Sequence, residues 1–197
     1  MPAGRPRSFD EDAALESAIE VFRRHGYEAA SLDLLTEAMG INRPSLYGAF
    51  GDKASLFEKA VSRYVEGPGA LPLRALADAP DLAGAIEGFF AAVERNNCTR
   101  GRPRGCLVAC VLGEAAGADE RWRARATELA RGTEAAITRA LERHLPAHRA
   151  GDAARLMIIL MYGIAASAKA GLSAGEIRAR TELAVAATRA ATGTMSA

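Results

Sequence analysis

Residues 41–50 read INRPSLYGAF and end just before Gly51. Asn42 has the side chain of a helix N-cap, which accepts a hydrogen bond from a free backbone N–H at the helix start. Pro44 is tolerated in the first turn because the N–H groups there have no partner within the helix. The stretch therefore predicts a short helix over about 42–49.

The side chains of this short helix divide into an inner and an outer set. Leu46 and Phe50 are four residues apart, so they lie on one face and hold the helix against a core. Arg43, Ser45 and Tyr47 then point away from that core. An outward face of hydrogen-bonding groups is what a helix that reads a nucleic-acid groove presents.

Another short helix precedes this one across a tight turn. Residues 31–40 read SLDLLTEAMG, with Ser31 as the predicted N-cap and Gly40 as the predicted left-handed end. The predicted inward face consists of Leu34, Leu35, Ala38 and Met39. This order of helix, turn and helix is typical of a helix-turn-helix, whose second helix places its N-terminal residues against base edges.

The residue types around the turn have the chemistry of a DNA contact. Arg43 offers a planar fork of donors to a guanine edge or a phosphate, at a helix N-terminus that also attracts anions. Lys53 lies in the first turn of the next helix, where a cation is unfavourable unless it meets an external anion such as a phosphate. The predicted DNA-binding residues are Ser31, Asn42, Arg43, Pro44, Ser45, Tyr47 and Lys53, with Arg5 and Arg7 for the backbone or a minor groove.

The composition favours an all-α protein. The 197 residues are 49% hydrophobic and 25% charged, and they are rich in alanine, which costs least to place in a helix. The net charge is +1, and residues 1–66 contain 8 Lys or Arg against 11 Asp or Glu. Because the chain has no overall basic field, DNA binding depends on local clustering of donors.

Gly67, Pro68 and Gly69 mark the predicted domain boundary. The N-terminal unit, residues 1–66, is the predicted helix-turn-helix domain. Residues 67–197 form a larger helical domain, for which the sequence predicts ligand binding and dimerisation.

Two helix starts carry the spacing of a capping box, in which a Ser side chain and a Glu side chain each satisfy a backbone N–H. Ser8 and Glu11 predict one at the first helix, and Ser173 and Glu176 predict one at the last. Gly26 is the predicted left-handed end of the first helix.

The sequence is expected to belong to a protein of the reducing cytoplasm. It has three cysteines, an odd number, and its start lacks the apolar segment of a signal peptide. The apolar residues 156–168 are fewer than the ~20 that span a bilayer, so no membrane partner is expected. No cofactor is expected, nor a metal, because Pro146 separates His144 from His148.

A second interpretation rests on cysteine chemistry. Cys106 and Cys110 are one helical turn apart, and Arg100, Arg102 and Arg104 precede them. Because nearby cations lower the pKa of a thiol, a redox or electrophile sensor acting through Cys106 is the alternative function. Simple packing is the other interpretation, since buried cysteine behaves as a small hydrophobic residue.

The larger domain contains apolar and aromatic residues suited to a ligand cavity, which needs an apolar wall with a few polar groups. The predicted lining residues are Phe89, Phe90, Val93, Cys106, Cys110, Trp122, Met157, Met161 and Tyr162. The same residues also suit an ordinary core. No motif in this half of the chain specifies the chemical class of a ligand.

The last two helices have apolar faces with small residues, which suit close packing between two chains. The predicted dimer interface contains Leu156, Ile159, Leu160, Gly163, Ile177, Leu183 and Val185. Packing within one chain is the alternative. A dimer would read two half-sites about 34 Å apart, which raises the discrimination that one short helix supplies.

Residues 8–64 resemble the DNA-binding domain of TetR-type transcriptional regulators. The resemblance rests on FRRHGYEAAS at 22–31, on SLDLLTEAMGINRPSLYGAFGDKASLF at 31–57, and on the length of the chain. It implies a three-helix DNA-binding domain, a helical ligand-binding domain and a homodimer joined by the last two helices. It further implies a repressor, without enzymatic activity, that a small-molecule effector releases from its operator. A nucleoid-type protein that covers DNA without sequence preference is a third hypothesis.

Overall fold

The structure is a computed structural model, and it describes residues 9–99, 102–114 and 120–194. The prediction of an all-α protein is confirmed: helices form the described part of the chain apart from its connections and one very short hairpin. The hairpin pairs β1 (Cys98–Thr99) with β2 (Arg102–Pro103) in antiparallel register.

The first four helices are α1 (Glu11–Ala29), α2 (Leu32–Met39), α3 (Arg43–Phe50) and α4 (Lys53–Glu66). A short 3₁₀ helix (Pro68–Ala70) leads into α5 (Leu71–Asp78) and α6 (Leu82–Asn97). After the hairpin follow α7 (Leu107–Glu114), α8 (Glu120–Leu141), α9 (Ala147–Lys169) and α10 (Ala174–Thr192).

The caps predicted around the turn are present. The side chain of Ser31 accepts a hydrogen bond from the N–H of Leu34 at 3.2 Å, and that of Asn42 accepts one from the N–H of Ser45 at 2.9 Å. At the other end of the chain, the capping box of Ser173 and Glu176 is complete. These short polar side chains therefore set the starts of α2, α3 and α10.

The capping box predicted at the start of α1 is wrong. The N-cap is Asp10, whose Oδ1 accepts hydrogen bonds from the N–H groups of Asp12 at 2.9 Å and Ala13 at 3.2 Å. Glu11 is the first residue of the helix, whereas a capping box needs its Glu at the third helical position. Ser8 lies outside the described residues.

Gly26 does not end α1 as predicted but bends it. Its φ of 79° and ψ of 179° are outside the left-handed helical region, and helical residues resume beyond it as far as Ala29. The carboxylate of Glu114 lies against this bend and accepts a hydrogen bond from the N–H of Tyr27 at 2.8 Å. The positive φ favours glycine, and a Cβ at this position would also require the flexible side chain of Glu114 to move, since it would lie 1.8 Å from Oε1.

One hydrophobic core lies among α1, α2, α3 and α4 and continues into α7 and α8. Phe22, Leu46 and Phe57 are at most 2% exposed within it. Leu35 and Met39 of α2 also face this core, whereas the predicted inward positions of Leu34 and Ala38 are wrong: both residues are exposed, because only one side of α2 contacts the core. Trp122 of α8 joins this core, with its ring centroid 5.0 Å from that of Phe57 and 5.5 Å from that of Tyr27. The division at residues 66 and 67 stays a prediction, and the packing on either side of it is continuous.

A second core lies among α5, α6, α8, α9 and α10. Its fully buried members include Leu76, Ile86, Phe89, Phe90, Ile137, Met157 and Ile177. By length and mean hydropathy α9 is long and apolar enough to cross a membrane, a property it shares with core helices of other proteins. Its residues Ala150, Ala154, Met157 and Ile164 pack inside this core.

Candidate nucleic-acid interface and internal cavity

The turn between α2 and α3 sets their relative direction. Gly40 has φ 66° and ψ 29°, which is the left-handed conformation, and its N–H donates to the carbonyl of Glu37 at 3.2 Å. The N–H of Ile41 donates to the carbonyl of Thr36 at 3.1 Å. This pair of bonds satisfies the last carbonyls of α2 and lets the chain reverse into α3 within three residues.

Helix α3 presents the two faces that its sequence predicts. Leu46 is fully buried and Phe50 is 4% exposed, so both anchor α3 to the first core. Tyr47 is 50% exposed, Arg43 is exposed and Ser45 is half-buried. The helix therefore offers its hydrogen-bonding side chains to an external partner while its apolar side chains hold it in place.

Arg43 is held by a carboxylate of the preceding helix. Its Nη2 lies 2.8 Å from Oδ1 of Asp33, and the two side chains are 55% and 78% exposed. The hydrogen bond and the charge of Asp33 raise the pKa of the guanidinium above its ordinary value. Exposed ion pairs contribute little stability, so Asp33 can orient Arg43 and still release it to a base or phosphate.

Lys53 lies at the start of α4 and folds back over α1. Its Nζ donates to the carbonyl of Glu28 at 3.3 Å and lies 4.5 Å from the ring centroid of Tyr27. Both contacts leave further donors on the ammonium group. The predicted contact of Lys53 with a phosphate stays a prediction, as do those of Ser31, Asn42, Pro44 and Ser45. Arg5 and Arg7 lie outside the described residues.

A buried arginine that the sequence analysis missed joins the first core to the loop after α6. Arg23 is 6% exposed, and its Nη1 lies 2.8 Å from Oε1 of Glu20. Its Nη2 donates to the carbonyls of Asn96 at 2.5 Å and Gly105 at 2.8 Å. Arg104 also pairs with Glu20. The burial of Arg23 could have been predicted from its position four residues after Ile19, which places it on the inward face of α1.

A cavity of about 80 Å³ lies next to this loop. Five of the nine predicted residues line it, namely Phe89, Val93, Cys106, Met161 and Tyr162. The remaining lining residues are Tyr64, Val65, Gly69, Pro72, Leu73, Asn96, Asn97, Val108, Leu129 and Thr133. Many of these come from α4, α5 and the end of α6, segments whose convergence on one point has no signal in local sequence.

Four predicted lining residues lie elsewhere, and these predictions are corrected. Phe90 and Met157 are fully buried in the second core. Trp122 packs in the first core. Cys110 is buried with its Sγ 3.1 Å from Nζ of Lys169. Helical periodicity places a residue on a face, but it does not tell which of two adjoining cores that face meets.

Two buried polar atoms at the cavity have no hydrogen-bond partner among the described residues. Asn97 is 2% exposed, and its Nδ2 donates to the carbonyl of Val93 at 2.8 Å, while its Oδ1 is unpaired. The hydroxyl of Tyr162 is the other unpaired atom. Burial, followed by the nearby Cys106, raises the pKa of Tyr162 to about 12, an effect that the hydroxyl of Thr133 partly offsets.

Two of the three cysteines have thiol pKa values above the ordinary value. Burial raises the pKa of Cys98, and the charge of Glu94 adds to the increase. Burial also raises the pKa of Cys110, although Lys169 partly opposes it. Arg104 is neutralised by Glu20. The side chain of Cys106 accepts a hydrogen bond from the hydroxyl of Tyr64 at 3.5 Å.

The predicted dimer residues separate into an exposed and a buried set. Ile159 of α9 and Leu183 of α10 are each 68% exposed, which is unusual for large apolar side chains. Leu156, Leu160 and Val185 are half-buried and Gly163 is exposed. Ile177 is fully buried within the chain, so its assignment to a dimer interface is wrong. Its face of α10 points to α6 and α9 instead.

Within the described ranges, no three His, Cys, Asp or Glu side chains group closely enough to hold a metal ion. A second, more polar cleft lies between α1 and the end of α9. Its lining includes Arg24, Arg104 and Lys169 together with Glu20, and it adjoins the buried Arg23.

Known proteins resemble this chain over both halves. The family described as bacterial regulatory proteins, tetR family, matches residues 14–60. The transcriptional repressor BdcR of Escherichia coli K12 is 32% identical over 182 residues, which cover 92% of this chain and 90% of that protein. The repressor ComR of the same organism is 37% identical over 106 residues, which cover 53% of this chain and 50% of that protein.

One of the similar solved structures contains DNA. The TetR family regulator CifR, with two cysteines replaced, was determined in complex with a 26-base-pair operator DNA. It is 31% identical to this chain, with a TM-score of 0.78, and the match covers 93% of this chain and 99% of that one. The likeness therefore extends over the helices that follow α4 as well as over the helix-turn-helix.

Proposed function

Because this chain belongs to the TetR family of bacterial regulatory proteins, in which it is a DNA-binding transcriptional regulator, we propose that it is a ligand-released dimeric repressor. In this proposal α3 enters the major groove of an operator. A small molecule in the cavity next to α6 then lowers the affinity for DNA. The exposed face of α3, above its buried anchors, is the observation that carries the proposal.

The DNA contacts follow from the chemistry of that face. Arg43 stands at the N-terminus of α3 with a guanidinium held only by the exposed Asp33. Tyr47, one turn later, directs a half-exposed phenol outward. Bidentate donors at a helix N-terminus suit a guanine edge, whereas a tyrosine hydroxyl suits a phosphate oxygen. CifR, which is 31% identical, was determined in complex with double-stranded operator DNA.

The dimer follows from the apolar surface on α9 and α10. Ile159 and Leu183 expose most of their side chains to solvent in the single chain, which costs free energy that a second copy recovers on association. A two-fold interface of α9 and α10 then presents two copies of α3 to half-sites separated by about one helical turn of DNA.

The route from cavity to DNA runs through the loop between α6 and α7. Asn96 and Asn97 lie at its start and Cys106 at its end, and all three line the cavity. The guanidinium of Arg23 is bonded to the carbonyls of Asn96 and Gly105. A ligand that displaces this loop would therefore move α1, against which α2 and α4 pack.

The experiment that tests the proposal is operator binding by the Arg43→Ala variant. We expect the specific binding free energy to weaken by about 1 to 3 kcal/mol and the base preference to relax at one position in each half-site. Fluorescence anisotropy with the operator and with single-base variants of it measures both effects.

Arg123→Ala is the matched control. The Nη2 of Arg123 lies 2.8 Å from Oε2 of Glu120 on α8, and the side chains are 53% and 85% exposed, much like Arg43 and Asp33. This variant loses the same charge and a similar ion pair at a distant site, so it should bind operator like the parent. Equal binding by Arg43→Ala and the parent would contradict the assignment of α3.

A thiol sensor acting through Cys106 is a second candidate, favoured by one observation. Cys106 lines the cavity and contacts the hydroxyl of Tyr64, so an electrophile that enters the cavity meets a thiol. Mass spectrometry after mild oxidant or electrophile treatment tests this candidate. Modification of Cys106 that abolishes operator binding in the parent, with Cys106→Ser unaffected, would favour it over reversible ligand binding.

A further inference from the structure

The described side chains that line the cavity next to α6 carry no formal charge. Among them there is no Asp, Glu, Lys, Arg or His. An ionised ligand would therefore lose its hydration without gaining a countercharge, a cost that far exceeds the contribution of any single contact. The wall selects against carboxylates and ammonium groups.

Two polar atoms on this wall, Asn97 Oδ1 and the Tyr162 hydroxyl oxygen, have no hydrogen-bond partner among the described residues. The amide of Asn97 has its orientation set by the bond from Nδ2 to the carbonyl of Val93, because a carbonyl can only accept. Its Oδ1, buried and unpaired, is therefore an acceptor that needs a donor. A buried acceptor without a partner is unfavourable, and a ligand that donates to it would remove that cost.

The second unpaired group, the hydroxyl of Tyr162, can supply a hydrogen-bond donor. The hydroxyl of Tyr162 can donate or accept, and burial keeps it protonated by raising its pKa to about 12. Thr133 also lines the cavity, and its Oγ1 donates to the carbonyl of Leu129 at 2.8 Å. No described residue is in hydrogen-bonding position to the Tyr162 hydroxyl, so its proton is available to an acceptor on a ligand.

The size of the cavity limits the ligand. Its volume of about 80 Å³ is roughly half of the ~150 Å³ that holds benzene in an engineered protein cavity. Met161 and Leu73, both flexible side chains, are part of the wall. A small apolar body fits, with room to grow only as these side chains move.

We propose that the effector is a small uncharged molecule with an apolar body and a hydroxyl or amide N–H group, which donates to Asn97 Oδ1 and accepts from the Tyr162 hydroxyl. The inference rests on the proposed function, because it names the ligand class of the same cavity. It goes beyond that function by excluding carboxylates, amines and pure hydrocarbons as effectors.

Four probes of nearly equal size test the class directly. 1-Butanol can donate and accept a hydrogen bond, and its isomer methyl propyl ether can only accept. Butyrate and butylamine carry opposite charges on a similar body. Binding to the full-length dimer is followed by chemical-shift changes and by thermal stabilisation. We expect 1-butanol to bind about five- to tenfold more tightly than the ether, since one neutral hydrogen bond separates them. The two ions should not bind.

Two variants locate the hydrogen bonds. Asn97→Leu and Tyr162→Phe each remove a polar group at nearly constant volume. Asn97→Leu removes the acceptor that only 1-butanol can use, so it should reduce the preference for 1-butanol over the ether to about onefold or twofold. Tyr162→Phe removes a donor that both probes can use, so it should weaken the binding of both and leave the preference unchanged. Thr127→Val is the control, because Thr127 is an exposed residue on α8 whose hydroxyl donates within its own helix, outside the cavity. It should keep the parent's preference. If Asn97→Leu does not fold, the proposed ligand class is tested by Tyr162→Phe together with the binding of the four probes to the parent.

The outcomes separate this inference from the proposed function. Tighter binding of butyrate or butylamine than of 1-butanol, equal binding of 1-butanol and the ether, or no binding of 1-butanol would overturn the ligand class. Operator release is measured separately with each probe that binds. Release by a charged probe leaves the repressor proposal standing and overturns the class, whereas binding of 1-butanol without release supports the class and contradicts the release mechanism.

Discussion

At the scale of single residues, the chain uses charged side chains in two different ways. Arg23 is buried and bonded to two carbonyls and a carboxylate, so its charge is committed to holding the structure together. Lys53 lies at the surface of α4, where a carbonyl and a ring hold it loosely. Only the loosely held cation can exchange its partners for a phosphate at small cost.

The Lys53→Ala variant should bind every DNA sequence more weakly than the parent. Each phosphate contact that is lost reduces the magnitude of the slope of log Kobs against log salt concentration by about 0.9. A titration of operator and of unrelated DNA over several salt concentrations measures this slope.

Lys59→Ala is the comparison for that experiment. Lys59 also donates to a carbonyl, that of Ala49 at 3.1 Å, and also lies over a ring, that of Phe50. A change in slope confined to Lys53→Ala supports a specific phosphate contact. An unchanged slope in Lys53→Ala contradicts it.

At the scale of elements, α2 and α3 are too short to be stable alone. Each has eight residues, below the ~12 to 15 at which isolated helices become even marginally stable. Their caps and their buried leucine and phenylalanine side chains supply the stability instead. The N-cap bond from Ser45 N–H to Asn42 Oδ1 is therefore important for the shape of the DNA-reading surface as well as for folding.

Replacing Asn42 by Ala should lower the free energy of unfolding by about 1 kcal/mol, because the start of α3 loses its cap. Asn42→Ser retains a capping oxygen and should lie within a few tenths of a kcal/mol of the parent. Urea denaturation at one fixed protein concentration compares the three proteins. Equal stability of Asn42→Ala and the parent would show that the cap does not contribute.

At the scale of the whole molecule, α3 packs on the first core and α9 and α10 pack on the second, and α8 contributes side chains to both. The first core includes residues of α7 and α8, and the bend at Gly26 contacts Glu114 at the end of α7. In the proposed release mechanism, a change at the cavity would be transmitted through these contacts without an independent hinge. Association of two chains would then convert this change into a different spacing of the two α3 helices.

The double variant Ile159→Glu, Leu183→Glu should be monomeric, because association would bury its added charges without countercharges. Sedimentation velocity measures the state, and operator affinity should fall with it. Leu71→Glu is the control, since Leu71 is a large apolar residue that is 42% exposed on α5. A dimeric double variant would contradict the assignment of this face.

The local features of the fold could be predicted because they depend on neighbouring residues. Ser31, Asn42 and Asp52 cap helices by bonds that reach three residues along the chain. Leu46 and Phe50 face the core because helical spacing places them on one side. The same reasoning failed at Ser8 and Glu11, where a two-residue shift in the helix start gave the cap to Asp10.

By itself, the sequence determined the helices, their caps, the helix-turn-helix and its exposed face, since periodicity and short-range hydrogen bonds are local properties. Only the tertiary structure decided which core receives Trp122, that Ile177 is internal, and that Asn97 and Tyr162 meet at one cavity. Those outcomes depend on how helices distant in the chain pack together. That packing is a sum of many weak contacts between segments, and no single stretch of residues encodes it.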